Sequence, residues 1–282
     1  MAKKSQEYIL ERKVKKTVIY LILIGGMIIT LTPFFWSIST SLKPRAGIFS
    51  MPPEWVPSEP TLEHYGRLFD EVDFLRHFIN STVVAVAVTL LGLFLNSLAG
   101  YAFAKFRFPG RDRLFSILVL SLMVPGQVTM MPVFMILRSL GLINTYTGLI
   151  ITGTISVFGI FLIRQFVLTI PNDLIEAARI DGCGEFAIYW KVILPLCKPV
   201  LATLGIFTFM SSWNSFLWPL IVMVREEMYT LPVALANLSG QHATDYGLLM
   251  AGAVVVVIPV ILVFLAAQKY IIEGISTTGL KG

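Results

Sequence analysis

PNDLIEAARIDGCGEFAIYWKVILPLCKP, residues 171–199, is the longest interruption between apolar runs on the more positively charged side of this chain. Pro171 gives an abrupt start, and Asp173 followed three positions later by Glu176 reads as a capping box at a helix N-terminus. Ala177 and Ala178 then give a smooth, small surface. Gly182 is placed to stop the helix, because glycine takes positive φ without strain. A second short helix is expected next, with Phe186, Tyr189, Trp190 and Ile193 at helical spacing and Leu194-Pro195 closing it. Two short helices outside a bilayer, one rich in aromatics, make a docking surface for another protein. The plain alternative is a polar loop joining two membrane helices.

Composition supports the membrane frame. Mean hydropathy is +0.78, and 56% of residues are hydrophobic against 14% charged, outside the range of a soluble globular domain. Six apolar runs are readable, Thr17–Leu42, Phe78–Ala104, Leu114–Leu137, Tyr146–Ile163, Pro199–Val224 and Tyr246–Ala267. Each reaches the roughly 18–20 residues that a helix needs to cross hydrocarbon. The expected fold is therefore an all-α polytopic membrane protein with six transmembrane helices. Residues 1–16 form an N-terminal segment, 17–270 the membrane domain, and 271–282 a tail, with loops at 171–199 and 225–245.

Lysine and arginine set the orientation. With the N-terminus inside, 16 of them fall on inner segments and 6 on outer ones, which places both termini in the cytoplasm. The net charge of +5 is thus spent on orientation in the bilayer rather than on nucleic acid. Cys183 and Cys197 both lie in the 171–199 loop with no histidine near them, so neither a disulfide framework nor a metal site follows.

None of the six runs contains Asp, Glu, Lys, Arg or His. Ion-driven carriers place ionisable groups in mid-membrane, so this chain has no obvious means of drawing on an ion gradient. It has no nucleotide loop either: Gly274 and Gly279 are followed by Leu280, where a phosphate-binding loop needs Lys and then Ser or Thr. His64, His77 and His242 are far apart and lack a glycine-flanked serine, so no catalytic residue is expected. Energy must arrive through a partner.

Polar residues within the runs include Asn96, Gln127, Thr208, Ser211, Ser212 and Asn214. Helix–helix hydrogen bonds account for such residues in general. The alternative is a route for a hydroxyl-rich solute, for which Gln127 beside Pro125-Gly126, and Trp213 and Asn214 before Trp218-Pro219, are the candidates. Aromatic faces beside amides suit sugar rings. Proline and glycine there are expected to bend the helices.

The spacing of Glu176-Ala177-Ala178, three residues, Gly182, nine residues, Val192, one residue and Leu194-Pro195 resembles the EAA loop of ABC-type importer permeases. Val192 stands where that family usually has isoleucine. The likeness extends through Ser41-Leu42-Lys43, Asn80-Ser81, Tyr101-Ala102-Phe103-Ala104-Lys105-Phe106, Pro132, Gly141-Leu142 and Asn144-Thr145-Tyr146. It continues through Trp213-Asn214-Ser215-Phe216-Leu217-Trp218-Pro219-Leu220, Thr230-Leu231-Pro232, and the tail Gln268–Gly274 with Lys281-Gly282. Nearly the whole chain is similar to the smaller permease of maltose-like, carbohydrate-type systems.

The resemblance implies the type I ABC importer permease fold in a bacterial inner membrane. It also implies a second permease subunit, two ATPase subunits that bind ATP and Mg, and an external solute-binding protein, with no cofactor in this chain. Glu176, Ala177, Ala178, Asp181, Gly182, Leu194 and Pro195 would couple to the ATPase. Gly240, Gln241 and His242 would reach into the binding protein, and the tail would run between the ATPase subunits. The implied solute is a sugar or oligosaccharide, with a uronate oligosaccharide or a glycerol-phosphate diester as the alternative. In maltose-like systems the sugar contacts come mainly from the other permease. A non-transporting membrane scaffold would need neither the coupling loop nor span-bending prolines.

Overall fold

The computed structural model describes residues 2–239 and 245–278, and among these every regular element is helical. The chain forms two compact units: residues 1–72 with 238–255, and residues 73–237 with 256–282.

The first unit holds α1 (Ala2–Ser41), α2 (Glu63–Glu71) and the start of α14 (Tyr246–Thr278). From Val18 to Phe35 the apolar side chains of α1 are exposed around the helix, the surface suited to hydrocarbon rather than water. Where α1 ends, the chain folds back on polar contacts. Lys43 is buried, its Nζ donating to the Glu54 carbonyl at 2.6 Å and lying over the Trp36 ring. His64, also buried, meets the Lys43 carbonyl through Nε2 at 2.9 Å. Asp245 caps α14 by accepting from the Leu248 N–H, and also accepts from Arg45 and Arg67. Burial pushes its carboxyl up, but those hydrogen bonds and the charges of both arginines outweigh burial and hold it below the usual carboxylate range. The tie is therefore intact at neutral pH and is lost only as pH falls through that lowered value.

The second unit is organised on α3 (Phe74–Lys105), a single 32-residue helix. It packs against α6 (Tyr146–Thr154), α7 (Val157–Leu168) and α11 (Lys198–Trp213). Gly100 permits the approach of α7, since a Cβ there would sit 2.7 Å from Ile163 Cγ2. A second small interface forms at Gly92, where a Cβ would lie 3.0 Å from the Thr154 carbonyl oxygen.

Among the described residues three continuous helices are long and apolar enough to cross a membrane: Arg12–Ser41, Phe74–Lys105 and Tyr246–Ala266. Three more candidates are bent pairs. Residues Arg111–Met123 (α4, Arg111–Leu120, and a 3-10 turn) meet α5 (Gly126–Ser139) at 105°, α6 meets α7 at 40°, and Glu185–Leu196 meets α11 at 80°. With each pair counted as one crossing, the six expected spans are present.

Three runs expected to be continuous are interrupted, Tyr146–Ile163 among them, which breaks at Ile155-Ser156 between α6 and α7. Leu114–Leu137 breaks at Val124-Pro125, where proline removes a backbone donor and holds the preceding residue extended (φ −84°, ψ 118°). Pro199–Val224 breaks after Trp213, and the short helix α12 (Leu217–Val222) follows.

Candidate functional site

Two features of the second unit bear on function: the 171–199 loop and a cavity among the helices. In the loop, α8 spans Asn172–Ile180. The capping box is not formed, as Pro171 occupies the cap position and no side chain bonds to the first turn. Instead Lys105, at the end of α3, donates through Nζ to the Ile170 carbonyl at 2.6 Å and to Asn172 Oδ1 at 2.7 Å. Asp173 in the first turn and Arg179 in the last turn match the helix dipole.

The stop at Gly182 forms as the sequence implies. Gly182 has φ +81°. Its N–H donates to the Arg179 carbonyl and the Cys183 N–H to the Ala178 carbonyl, both at 3.0 Å, the two bonds of a Schellman motif. Arg179 Nε then donates to Glu185 Oε1 at 2.8 Å and clamps the two short helices together. That hydrogen bond raises the Arg179 pKa, which fixes the pair as charged.

The two faces of α8 differ. Ile175 and Ala178 are buried in a core with Tyr101, Val167 and Ile188. Leu174, Glu176, Ala177 and Asp181 are exposed, and Ile180 stands out at 86%. Of the expected small surface, therefore, Ala177 lies outside and Ala178 serves as packing. The second helix divides in the same way. Tyr189 and Ile193 are buried, with the Tyr189 hydroxyl 2.8 Å from Ser97 Oγ. Phe186 and Trp190 are exposed and stack on each other at 6.4 Å.

This second helix does not close at Leu194-Pro195. After α9 (Glu185–Ile188) it passes through a π turn, Tyr189–Ile193, and through α10 (Leu194–Leu196), then bends at Cys197. The widened turn ends directly before Pro195, where the ladder loses a donor. Cys183 and Cys197 are both free thiols.

The cavity, about 550 Å³, is enclosed by α3, α6, α11 and α12 with the α6–α7 junction. Its apolar wall includes Val84, Val88, Leu149 and Phe207. Opposite lie Thr208, Ser211 and Ser212, at i, i+3 and i+4 on one face of α11, and Ser215 just beyond its end. Trp218 lines the rim, its indole N–H held by Thr152 Oγ1 at 2.8 Å. Among the described residues no charged side chain lines it.

The four residues singled out for a solute route separate here. Trp218 lines the cavity. Trp213 is buried, donating to the Val256 carbonyl at 3.0 Å and stacking on Phe209, so it belongs to the packing. Asn214 is exposed and donates back to the Met210 carbonyl. Gln127 is exposed in the first turn of α5, away from the cavity. Gly240, Gln241 and His242 lie outside the described residues. The approach to their loop is pinned: Asn80 Nδ2 donates to the Glu227 and Tyr229 carbonyls at 2.9 Å, and Ser81 Oγ accepts from the Leu231 N–H at 2.7 Å.

Two roles are legible only in outline in the sequence. Thr208, Ser211 and Ser212 stand among the polar residues of the runs, for which a solute route is the alternative, and their shared face of α11 follows from the 3.6-residue period. Asn96 makes the helix–helix hydrogen bonds expected of such residues, though the sequence does not name its partners. Fully buried, it accepts from the Ser156 N–H at 3.0 Å and donates to the Thr154 carbonyl at 3.2 Å, bridging the α6–α7 break.

Comparison with known proteins places this architecture. The chain is 38% identical over 255 residues to the arabinooligosaccharides transport system permease protein AraQ of Bacillus subtilis, covering 89% of this chain and 91% of that one. The AraQ protein of Halalkalibacterium halodurans is also 38% identical, over 227 residues, 80% of this chain and 81% of the relative. The crystal structure of a bacterial ABC transporter involved in import of the acidic polysaccharide alginate matches with a TM-score of 0.82 at 27% identity, covering 92% of this chain and 96% of the matched one. Residues 89–277 match the model of the binding-protein-dependent transport system inner membrane component. This multi-pass membrane chain therefore belongs to the family of binding-protein-dependent transport system inner membrane components, the permeases of ABC importers.

Proposed function

We propose that this chain forms half of the translocation pathway of an ATP-driven importer for a sugar or oligosaccharide. A second permease completes the pore, two ATPase subunits bind ATP and Mg and drive it, and an external binding protein delivers the solute. The likeness to two arabinooligosaccharide permeases supports the solute class.

One observation carries the coupling role. α8 is fixed on one face by Ile175 and Ala178 and bare on the other, where Ala177 and the fully projecting Ile180 face outward. A rigid helix with an unpartnered outer face, where Leu174, Ala177 and Ile180 interleave with Asp173, Glu176 and Asp181, suits a groove in another protein. On this reading the 171–199 loop lies in the cytoplasm. Closure of the ATPases draws the two docking helices of the pore together, and the spans rock between inward- and outward-open states.

The exposed and buried alanines separate docking from folding. Ala177→Trp leaves the packed face intact, so thermal stability and membrane insertion are expected to stay near the parent value. Solute uptake and ATPase co-purification are expected to fall at least tenfold, about 1.4 kcal/mol of lost docking free energy. Full uptake by Ala177→Trp, with the ATPase still bound, would remove the α8 ridge from the coupling path.

A further inference from the structure

Ser81 and Ser156 on the cavity wall are spent on the Leu231 and Gly159 N–H groups, but other hydroxyls that line it are unspent. In an apolar helix, serine and threonine ordinarily bond back to the carbonyl one turn earlier, as Thr203 of α11 does with the Pro199 carbonyl at 3.1 Å. Among the described residues, the side-chain hydroxyls of Thr208, Ser211, Ser212 and Ser215 have no such partner. Thr230 Oγ1, which also lines the cavity, is buried and without a hydrogen bond among the described residues. A buried hydroxyl left unpaired is costly, and native structures generally satisfy it with protein, water or ligand.

We infer that this cavity is a subsite for one neutral sugar ring, and that the hydroxyl face of α11 with Thr230 discriminates against solutes carrying carboxylate or phosphate. The inference rests on the pathway role proposed above and adds that this chain itself touches the solute.

The chemistry is specific in two ways. Each serine or threonine hydroxyl both donates and accepts, as does each hydroxyl of a sugar, so the two sets pair in many orientations. Trp218 adds an apolar face of fixed orientation, because Thr152 holds its indole N–H, and sugar rings stack on such faces. The volume, about 550 Å³, falls within the roughly 300–1,000 Å³ of small-molecule sites. An anion finds no cation here among the described residues, since none of the lysines, arginines or histidines among them lines the cavity, and an unpaired charge in an apolar interior is strongly disfavoured.

Cysteine protection in the assembled importer tests this. In a Cys183→Ser background, Ser212→Cys is reacted with N-ethylmaleimide in the presence of arabinotriose or of an equal-length mannuronate trimer. Thr208→Cys serves as a second reporter in case the first does not assemble, and Gln127→Cys reports a position outside the cavity. Arabinotriose is expected to slow labelling at the cavity reporters by about tenfold or more, with no effect at position 127 and none from the uronate.

Equal protection by both trimers, or none from arabinotriose, maltotriose and cellotriose alike, overturns the subsite. Ser212→Arg, read through Thr208→Cys, is expected to bring protection by the mannuronate trimer; an unchanged preference also overturns it. Solute-stimulated ATP hydrolysis of the same complex reads the transport function separately. Stimulation without protection removes the subsite alone, whereas protection without stimulation removes the importer reading.

Discussion

Between α4 and α5 the chain turns by 105° at Val124-Pro125, and between α6 and α7 it turns by 40° at Ile155-Ser156. The larger turn is made by the residues at the turn. Proline withdraws a donor, Val124 goes extended, and its N–H closes a local bond to the Ser121 carbonyl. Every residue from Ser121 to Thr129 is exposed. The smaller turn has no proline. Its freed backbone groups at Thr154 and Ser156 are taken up by Asn96, 58 and 60 positions earlier in the chain. Ser156 Oγ then caps α7 by accepting from the Gly159 N–H. One break is written locally; the other is held open by a neighbouring helix.

Removing the distant partner is expected to have the largest effect. Asn96→Leu leaves one carbonyl and one N–H unpaired in the packed interior, a loss of about 2–4 kcal/mol, seen as a lowered unfolding midpoint of the chain in micelles. An Asn96→Leu chain as stable as the parent would mean that the 155–156 break supports itself. Gly159→Ala comes next. Its new Cβ would sit 3.2 Å from the Asn96 amide and 3.3 Å from Leu204 Cδ1, a crowding expected to cost about 1–2 kcal/mol. Combined with Asn96→Leu the loss should be less than additive, and full additivity would show that the glycine is felt elsewhere. Pro125→Ala should be smallest in stability, within about 0.5 kcal/mol of the parent, while the turn opens. Spin labels at Ile117 and Met131, both exposed, would report a longer separation. A stability loss rivalling that of Asn96→Leu would erase the distinction between the two breaks.

The same distinction explains what could be read in advance. Apolar runs fix the spans because hydrocarbon tolerates little else, and Pro125-Gly126 announces a bend though not its angle. Gly182 was legible because positive φ is a local demand. The Asp173–Glu176 cap was not realised, since α8 starts before Asp173, with Pro171, which has no side-chain acceptor, at the cap position. Trp213 and Trp218 share one aromatic motif, yet one is packing and the other faces the cavity. Residue type could not separate them, but helical phase could: position 213 lies off the 208, 211, 212 stripe. Asn96 was visible only as a polar residue in an apolar run, because its role depends on where α6 ends.

Lys105 sets how the molecule carries mechanical load. Its ammonium straddles Ile170 and Asn172 while Ile175 and Ala178 are embedded beside Tyr101 and Val167. The segment that protrudes from the 171–199 region is thus welded to the ends of two long helices, with no soft elbow between. Because interiors are close-packed, a displacement of α8 is expected to carry the ends of α3 and α7 with it rather than be absorbed between them.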